Sequence, residues 1–520
     1  MQLKRTPFLI VLFLLIIASL CYLPFTYKDT PGERDGFRMV MGIIDSVISG
    51  KPLGSPLLYG RSISYGYYVL IDIFRPIFQK NFNIIIPITN YISSFSSILI
   101  VIPVFYIVKR YWGVTTALLA NLLLIFIPVW WSTSLYGHPM IQAVLFMFVG
   151  LALIGYRSEV KFSGGSIQKL ILLDISIIFA FSLCLMFRLD AALMFLLIPA
   201  CLLIEGYSFT KAVYHSSVYI IFPIIIFFAI KSQLPEIATG SDGIVEDLIF
   251  YHGPDRMLQN FKTGTVSFIK GCNPLYIFIS FISFIYLCFQ RDYLALLFVF
   301  PTLILNYIFW MPNHYPARHF IYMAPVLAIG NAIWLQAAIS TVLSFRKNKT
   351  IIAFGLSLIS ILLVFVSYKN SYSPPYPYWQ NQTEDNRRLA KNLYNLPSQG
   401  QRIFVIADSI PVVLEMQLLS RQVIVKPLTT SLFTDTQLKY QNLDKILKVK
   451  PTKTIDLLEV KNENNNFIFY IQGWKKKEVV RFFQESNEYD DVSLVIQKNI
   501  PSFTLVPSDL SKKFNFLDID

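Results

Sequence analysis

Phe8-Leu9-Ile10-Val11-Leu12-Phe13-Leu14-Leu15-Ile16-Ile17-Ala18 opens an apolar run that lasts to about Pro24, and Glu33-Arg34-Asp35-Gly36-Phe37-Arg38 follows it. A run of roughly 20 apolar residues crosses a bilayer. The charged hexapeptide beyond it then stands in the first loop on the far side. Lys4 and Arg5 precede the run, and basic residues collect on the cytoplasmic side of a span. The N-terminus is therefore expected inside and Glu33 to Arg38 outside. No Ala-x-Ala cleavage site follows, so the run is read as a retained span rather than a signal peptide.

Similar runs recur as far as residue 368. The chain has 520 residues, 54% hydrophobic and 15% charged, with a mean hydropathy of +0.52; soluble domains carry about 25% charged residues. Lipid offers backbone polar groups no partner, so the spans must be helices. The expected fold class is an α-helical polytopic membrane protein of about 11 transmembrane helices plus juxtamembrane helices. The spans are expected at 8–26, 84–108, 114–131, 140–156, 168–187, 191–205, 213–231, 274–290, 293–311, 320–344 and 350–368.

Between the first two spans, Phe37, Val40, Met41, Ile44, Val47 and Ile48 fall at helical spacing and predict an amphipathic helix on the membrane surface. Residues 64–80 predict a second one. If 64–80 crossed the bilayer, Lys109-Arg110 and most later basic loops would face outward, against the positive-inside bias. The other outer segments are then 132–139, 188–190, a long loop over 232–272, and 313–319.

The net charge of +13 would suggest nucleic acid in a soluble protein. Here the short cytoplasmic loops account for it, so membrane lipids, and no nucleic acid, are the expected partners. Cys21, Cys184, Cys201, Cys272 and Cys288 lie in or beside apolar runs without CxxC spacing, which predicts neither a disulfide framework nor a zinc site.

Composition changes at Lys369. Residues 369–381 include Ser371-Tyr372-Ser373-Pro374-Pro375-Tyr376-Pro377-Tyr378 and read as a linker from a transmembrane domain, 1–368, to a soluble domain, 382–520. Strand patterns at 402–407, 422–426, 453–459, 466–471 and 492–497 alternate with helical patterns at 383–395, 409–420, 434–449 and 475–486. That alternation predicts a small C-terminal α/β domain, extracytoplasmic by parity. It has no glycine-rich phosphate loop.

Several residues can carry chemistry. Asp35 and Glu33, just past a span, suit a base that activates a hydroxyl at the lipid boundary, or are ordinary loop acids. Arg188 and Asp190 lie at a membrane boundary, where ionisable groups are costly; they either close a tight turn or grip a lipid phosphate. His314, Arg318 and His319 form a cluster. A guanidinium grips phosphate in bidentate fashion and steadies the charge on a leaving phosphate, or simply anchors a span to headgroups. His138 is a lone histidine in a short turn. Tyr59, Arg61 and Tyr65 in the first loop can line a sugar or lipid pocket. His252, Asp255 and Arg256 occupy the long loop without an assigned role.

An acid at the start of the first outer loop, followed by juxtamembrane helices, resembles the GT-C glycosyltransferases. These include the protein O-mannosyltransferases, the aminoarabinose lipid A transferases and the rhizobial lipopolysaccharide sugar transferases. Trp130-Trp131 with Tyr136-Gly137-His138-Pro139-Met140 resembles their second outer loop. Phe187-Arg188-Leu189-Asp190-Ala191-Ala192 is similar to their R-x-D turn. Ala317-Arg318-His319-Phe320 with Ala324-Pro325 resembles the lead into a late span. The resemblance covers roughly residues 8–368. It implies that Asp35 is the catalytic base. This chain departs in carrying Glu33 two residues earlier, a spacing that suits a divalent metal as in the oligosaccharyltransferase branch; otherwise no cofactor is expected.

The implied activity is inverting transfer of a sugar from a polyprenyl-phosphate-linked donor to an extracytoplasmic lipid, glycan or protein, in the plasma (inner) membrane. The alternative is a transporter or flippase of an anionic lipid, which predicts inverted repeats and helices broken at mid-membrane. A second rival is a surface-assembly protein whose spans only anchor the outer domain.

Overall fold

A computed structural model describes residues 5–27, 65–233, 254–310 and 317–345, four helical residues at 40, 43, 44 and 47, and five strands between 402 and 505. The helices are α1 (Arg5–Tyr22), α2 (Tyr65–Asp72), α3 (Arg75–Phe78), α4 (Ile85–Leu99), α5 (Val101–Trp112), α6 (Val114–Phe126) and α7 (Pro128–Ser134). They continue with α8 (Pro139–Phe162), α9 (Ile167–Phe187), α10 (Leu197–Ile204), α11 (Phe209–Lys231), α12 (Pro254–Cys272), α13 (Pro274–Gln290), α14 (Tyr293–Trp310) and α15 (Ala324–Phe345). The expected span 350–368, the linker and the four helices expected beyond 382 lie outside the described residues.

The bundle is apolar outside and buries a stripe of polar residues within. Phe8, Ile16 and Leu20 of α1, Ile171, Ile175 and Phe179 of α9, and Phe222, Ile225 and Phe228 of α11 are exposed. Thr89, Asn90, Ser93, Ser94 and Ser97 share one face of α4 and are buried. Water would select the reverse, whereas lipid selects this. Among the described residues, six helices are long and apolar enough to cross a membrane, so the protein is a multi-pass membrane protein.

Two spans depart from a regular helix. The span expected over 114–131 is bent by 64° between α6 and α7. Pro128 has no N–H to continue the ladder, and it forces Ile127 into an extended conformation (φ −65°, ψ 124°). The helix then runs on to Ser134, so the turn expected at 132–139 shrinks to 135–138. The span expected at 191–205 begins as a 3-10 helix, Leu189–Leu196, and becomes α-helical only at α10. The larger rise of a 3-10 helix gives this short segment a reach of about 28 Å, close to the hydrocarbon thickness.

Two loop expectations are also corrected. Residues 64–80 form not one surface helix but α2 and α3, held together by an Arg75–Asp72 ion pair of 2.6 Å. Eight residues of α2 reach only about 12 Å, too short to cross. The loop expected over 232–272 contains α12, whose Phe268 stacks edge-on with Phe320 at 5.0 Å. In the first loop, Val40, Ile43, Ile44 and Val47 are helical and buried, the i, i+3, i+4, i+7 stripe of an amphipathic helix.

Strands β1 (Arg402–Ile406), β2 (Ile455–Asn462), β3 (Asn465–Gln472), β4 (Asp491–Gln497) and β5 (Thr504–Leu505) form one sheet in the order β4-β2-β3-β1-β5. Strand β2 pairs antiparallel with both β3 and β4, while β1 runs parallel to β3.

The end of the bundle away from Arg188 is clamped by buried ion pairs. Arg110, in the last turn of α5, forks onto Glu205 at the end of α10, with Nε to Oε1 at 2.6 Å and Nη2 to Oε2 at 2.8 Å. The Glu205 side chain is only 3% exposed. Arg110→Ala strands that carboxylate and should lower the unfolding free energy by roughly 3–5 kcal/mol. Arg110→Met combined with Glu205→Leu should recover most of the loss, as read by denaturant titration in mixed micelles.

Candidate functional site

Arg188 ends α9 in an extended conformation (φ −158°, ψ 118°), and the chain turns at once into the 3-10 helix 189–196. The turn brings Asp190 back under Arg188. The guanidinium forks side-on, with Nε to Oδ1 at 3.0 Å and Nη2 to Oδ2 at 2.8 Å. Because the group is planar, this fork turns the Nη1 edge away from the carboxylate. A second element then arrives from far along the chain. The 3-10 helix Ala317–Tyr322 delivers the Tyr322 hydroxyl to Asp190 Oδ1 at 2.7 Å. It also sets His319 Nδ1 3.7 Å from Oδ2, too long for a hydrogen bond but close enough for charge to be felt.

Arg188 and Asp190 side chains are 15% and 12% exposed. A carboxylate so withdrawn from water is kept ionised only by donors. Burial, with the Asp190 carboxylate beside it, pushes the Tyr322 hydroxyl well above its usual range. It stays protonated and serves as a donor.

Helix α2 joins this corner to the His138 turn. A Cβ at Gly66 would meet the Met186 backbone at 3.1 Å, just before Arg188. The next residue, Tyr67, puts its hydroxyl on Thr89 O at 3.3 Å and crowds Gly137, where an added Cβ would come within 2.8 Å of it. The turn itself is pinned to α4. Gly137 N–H donates to Asn90 Oδ1 at 2.6 Å, and His138 N–H donates to Ser93 Oγ at 2.9 Å. His138 caps α8, its Nδ1 accepting from Met140 N–H at 3.3 Å. That fixes the proton of the neutral ring on Nε2.

The structure therefore brings together Arg188, Asp190 and His319 from the expected set. It places His138 across α2 from them, with a capping role. Tyr65 opens α2 and is half-buried. Asp35, Glu33, Arg61, Tyr59 and His314, the side chain of Arg318, and with Glu33 and Asp35 the metal alternative, lie outside the described residues. Sequence reasoning missed Tyr322, although His319-x-x-Tyr322 is the i, i+3 spacing of a 3-10 face. It also missed Asn90 and Ser93, whose signal was a polar stripe within a span.

No protein-family model matches the chain, and no curated protein sequence matches it significantly. Solved structures do. ArnT from Cupriavidus metallidurans, bound to undecaprenyl phosphate, superposes with a TM-score of 0.52 at 10% identity over 86% of this chain and 92% of that one. The apo Archaeoglobus fulgidus oligosaccharyltransferase superposes with a TM-score of 0.50 at 12% identity over 76% of this chain and 58% of that one. This chain thus spans less than two thirds of the archaeal protein's length. The chain has the GT-C membrane fold.

Tyr322→Phe removes one donor from an ionised, buried carboxylate. The expected loss is about 1.5–3 kcal/mol of unfolding free energy, measured in mixed micelles. A change within about 0.5 kcal/mol, the range of a surface substitution, would mean that Arg188 alone satisfies Asp190.

Proposed function

We propose that this protein transfers a sugar from a polyprenyl-phosphate-linked donor to an extracytoplasmic acceptor, inverting the anomeric carbon. The observation that carries the reading is the donor-rich corner of Arg188, His319 and Tyr322 around Asp190, at one end of a GT-C bundle. ArnT, which shares that fold, is bound to undecaprenyl phosphate.

The chemistry follows from what such a donor needs. An acceptor hydroxyl attacks the anomeric carbon while a base removes its proton. The bond from that carbon to the phosphate oxygen breaks, and the polyprenyl phosphate leaves with the electron pair. Charge grows on the departing oxygen, so fixed cations aimed at it lower the barrier. In this reading Arg188 supplies its fixed positive charge, Arg318 and His319 add to it, and Asp190 and Tyr322 hold Arg188 in place. Asp35 is the general base. Arg61, Tyr65, His138 and His314 belong to the surrounding donor pocket. No cofactor is required, and a divalent ion at Glu33 and Asp35 is the variant of this scheme.

The proposed orientation puts the N-terminus in the cytoplasm of the plasma (inner) membrane. The Arg188 end and the domain 382–520 then face outward. The helix break between α6 and α7 lies against the 317–322 segment, at the same end as the corner. A flippase would place such breaks at mid-depth.

Asp35→Asn tests the base. Cells lacking the protein should accumulate one polyprenyl-phosphate sugar and lose that sugar from surface glycans, as read by mass spectrometry. Wild-type protein restores both. Asp35→Asn, expressed at the same level, restores neither, because a general base contributes about 10²–10⁴ in rate. Full restoration by Asp35→Asn would reject the assignment, and loss of lipid translocation without loss of transfer would favour the flippase.

A further inference from the structure

A second set of cations stands at the opposite end of the bundle, outside the proposed donor site. Tyr207 is its centre. Arg157 Nη1 donates to the Tyr207 hydroxyl at 2.7 Å, and the Lys161 ammonium lies 4.6 Å from the centre of the ring. His215 meets the ring edge-on, with centroids 5.3 Å apart. Lys211 lies one turn before His215 on α11, on the same face.

Not all of this charge is available. Arg157 is closed onto Asp174 through Nε at 2.5 Å and Nη2 at 2.9 Å, and the Tyr219 hydroxyl also donates to Asp174. That cluster is neutral as a unit. Glu159, the acid nearest to Lys161 in sequence, is turned toward Arg110 at 3.5 Å and Tyr106 at 3.3 Å. Lys161 and Lys211 are exposed and, among the described residues, have no carboxylate partner. The patch therefore carries two surplus positive charges. Its surroundings indicate what the matching anion is attached to. Phe162, Phe209 and Tyr214 are exposed beside it, and the exposed face of α9 continues as Ile171, Ile175 and Phe179. Cations above a continuous apolar strip fit a phosphate that carries acyl chains.

We propose that Lys161 and Lys211, set around Tyr207 and His215, bind the headgroup of an anionic phospholipid whose chains lie along α9 and α11. The lipid ties α8, α9 and α11 together at the end of the bundle away from the transfer chemistry. The site is independent of the proposed reaction, because none of its residues reaches the Arg188 corner.

Native mass spectrometry of the full chain, titrated with phosphatidylglycerol or phosphatidylcholine, tests this. Wild-type protein should retain phosphatidylglycerol selectively, and millimolar glycerol phosphate should not displace it. Lys161→Gln with Lys211→Gln should bind it roughly thirtyfold more weakly, from a contribution of about fivefold per lysine. Lys169→Gln, at the same end but over Tyr156, should bind as wild type, and Lys161→Arg with Lys211→Arg should keep most of the affinity. The proposal is overturned if wild type shows no preference for phosphatidylglycerol, if glycerol phosphate competes, or if the double glutamine variant binds as wild type.

Discussion

A carboxylate with little access to water, at the end of a bundle that is apolar on its outside, must be surrounded by donors. Asp190 is that group, and meeting its demand shapes the chain around it. Arg188 has to be extended so that two residues later the chain doubles back beneath its guanidinium. The second contributor must be a segment that presents two polar side chains in one direction. Residues 317–322 do so as a 3-10 helix, in which residues three apart eclipse one another. An α-helix would fan His319 and Tyr322 apart by about 60°. Both elements that meet at the carboxylate are 3-10 helices, so this local winding serves one buried charge.

The rest of the bundle obeys the same accounting for uncharged groups. Asn90 donates to Tyr27 O at 2.8 Å and accepts from Gly137 N–H. Ser94 donates to Ser134 O at 2.8 Å, and Ser97 reaches the Ser134 hydroxyl at 2.6 Å. These bonds fix the short turn between α7 and α8 against α4. The prolines then act as punctuation. Pro128 and Pro139 each stand at the start of a helix and hold the preceding residue extended. The resulting bend turns α7 across the end of the bundle, against the 317–322 segment. Sequence-local chemistry thus sets the lateral placement of an element that lies beside the corner.

Span positions were legible in the sequence because they rest on length and hydropathy alone. Expected spans at 84–108, 168–187, 213–231 and 274–290 match described helices within a few residues. What periodicity does not encode is how a span is wound. Leu189 to Ile204 is as apolar as its neighbours, and nothing in its pattern distinguishes eight residues of 3-10 from two more α-turns. The strands 402–406, 455–462, 465–472 and 491–497 were visible as short β-rich runs, but their order was not, since it depends on which edges meet. At the corner, Arg188 and Asp190 were found because charge beside an apolar run is conspicuous. Tyr322 was hidden because an aromatic residue near a membrane boundary has an ordinary explanation.

The two ends of the bundle use the same side-on arginine fork for different balances. At the far end, Arg157 gives Nε and Nη2 to Asp174 and Nη1 to the Tyr207 hydroxyl. Its donors are matched by acceptors, and the unit is a closed clamp. At the corner the carboxylate is the centre instead. One carboxylate draws Arg188 and Tyr322 directly, with His319 beside it. A guanidinium fixed in this way is oriented in advance, so no reorganisation is needed when charge appears beside it. What each fork is centred on, rather than the presence of buried arginine at both ends, is what distinguishes the two ends of the bundle.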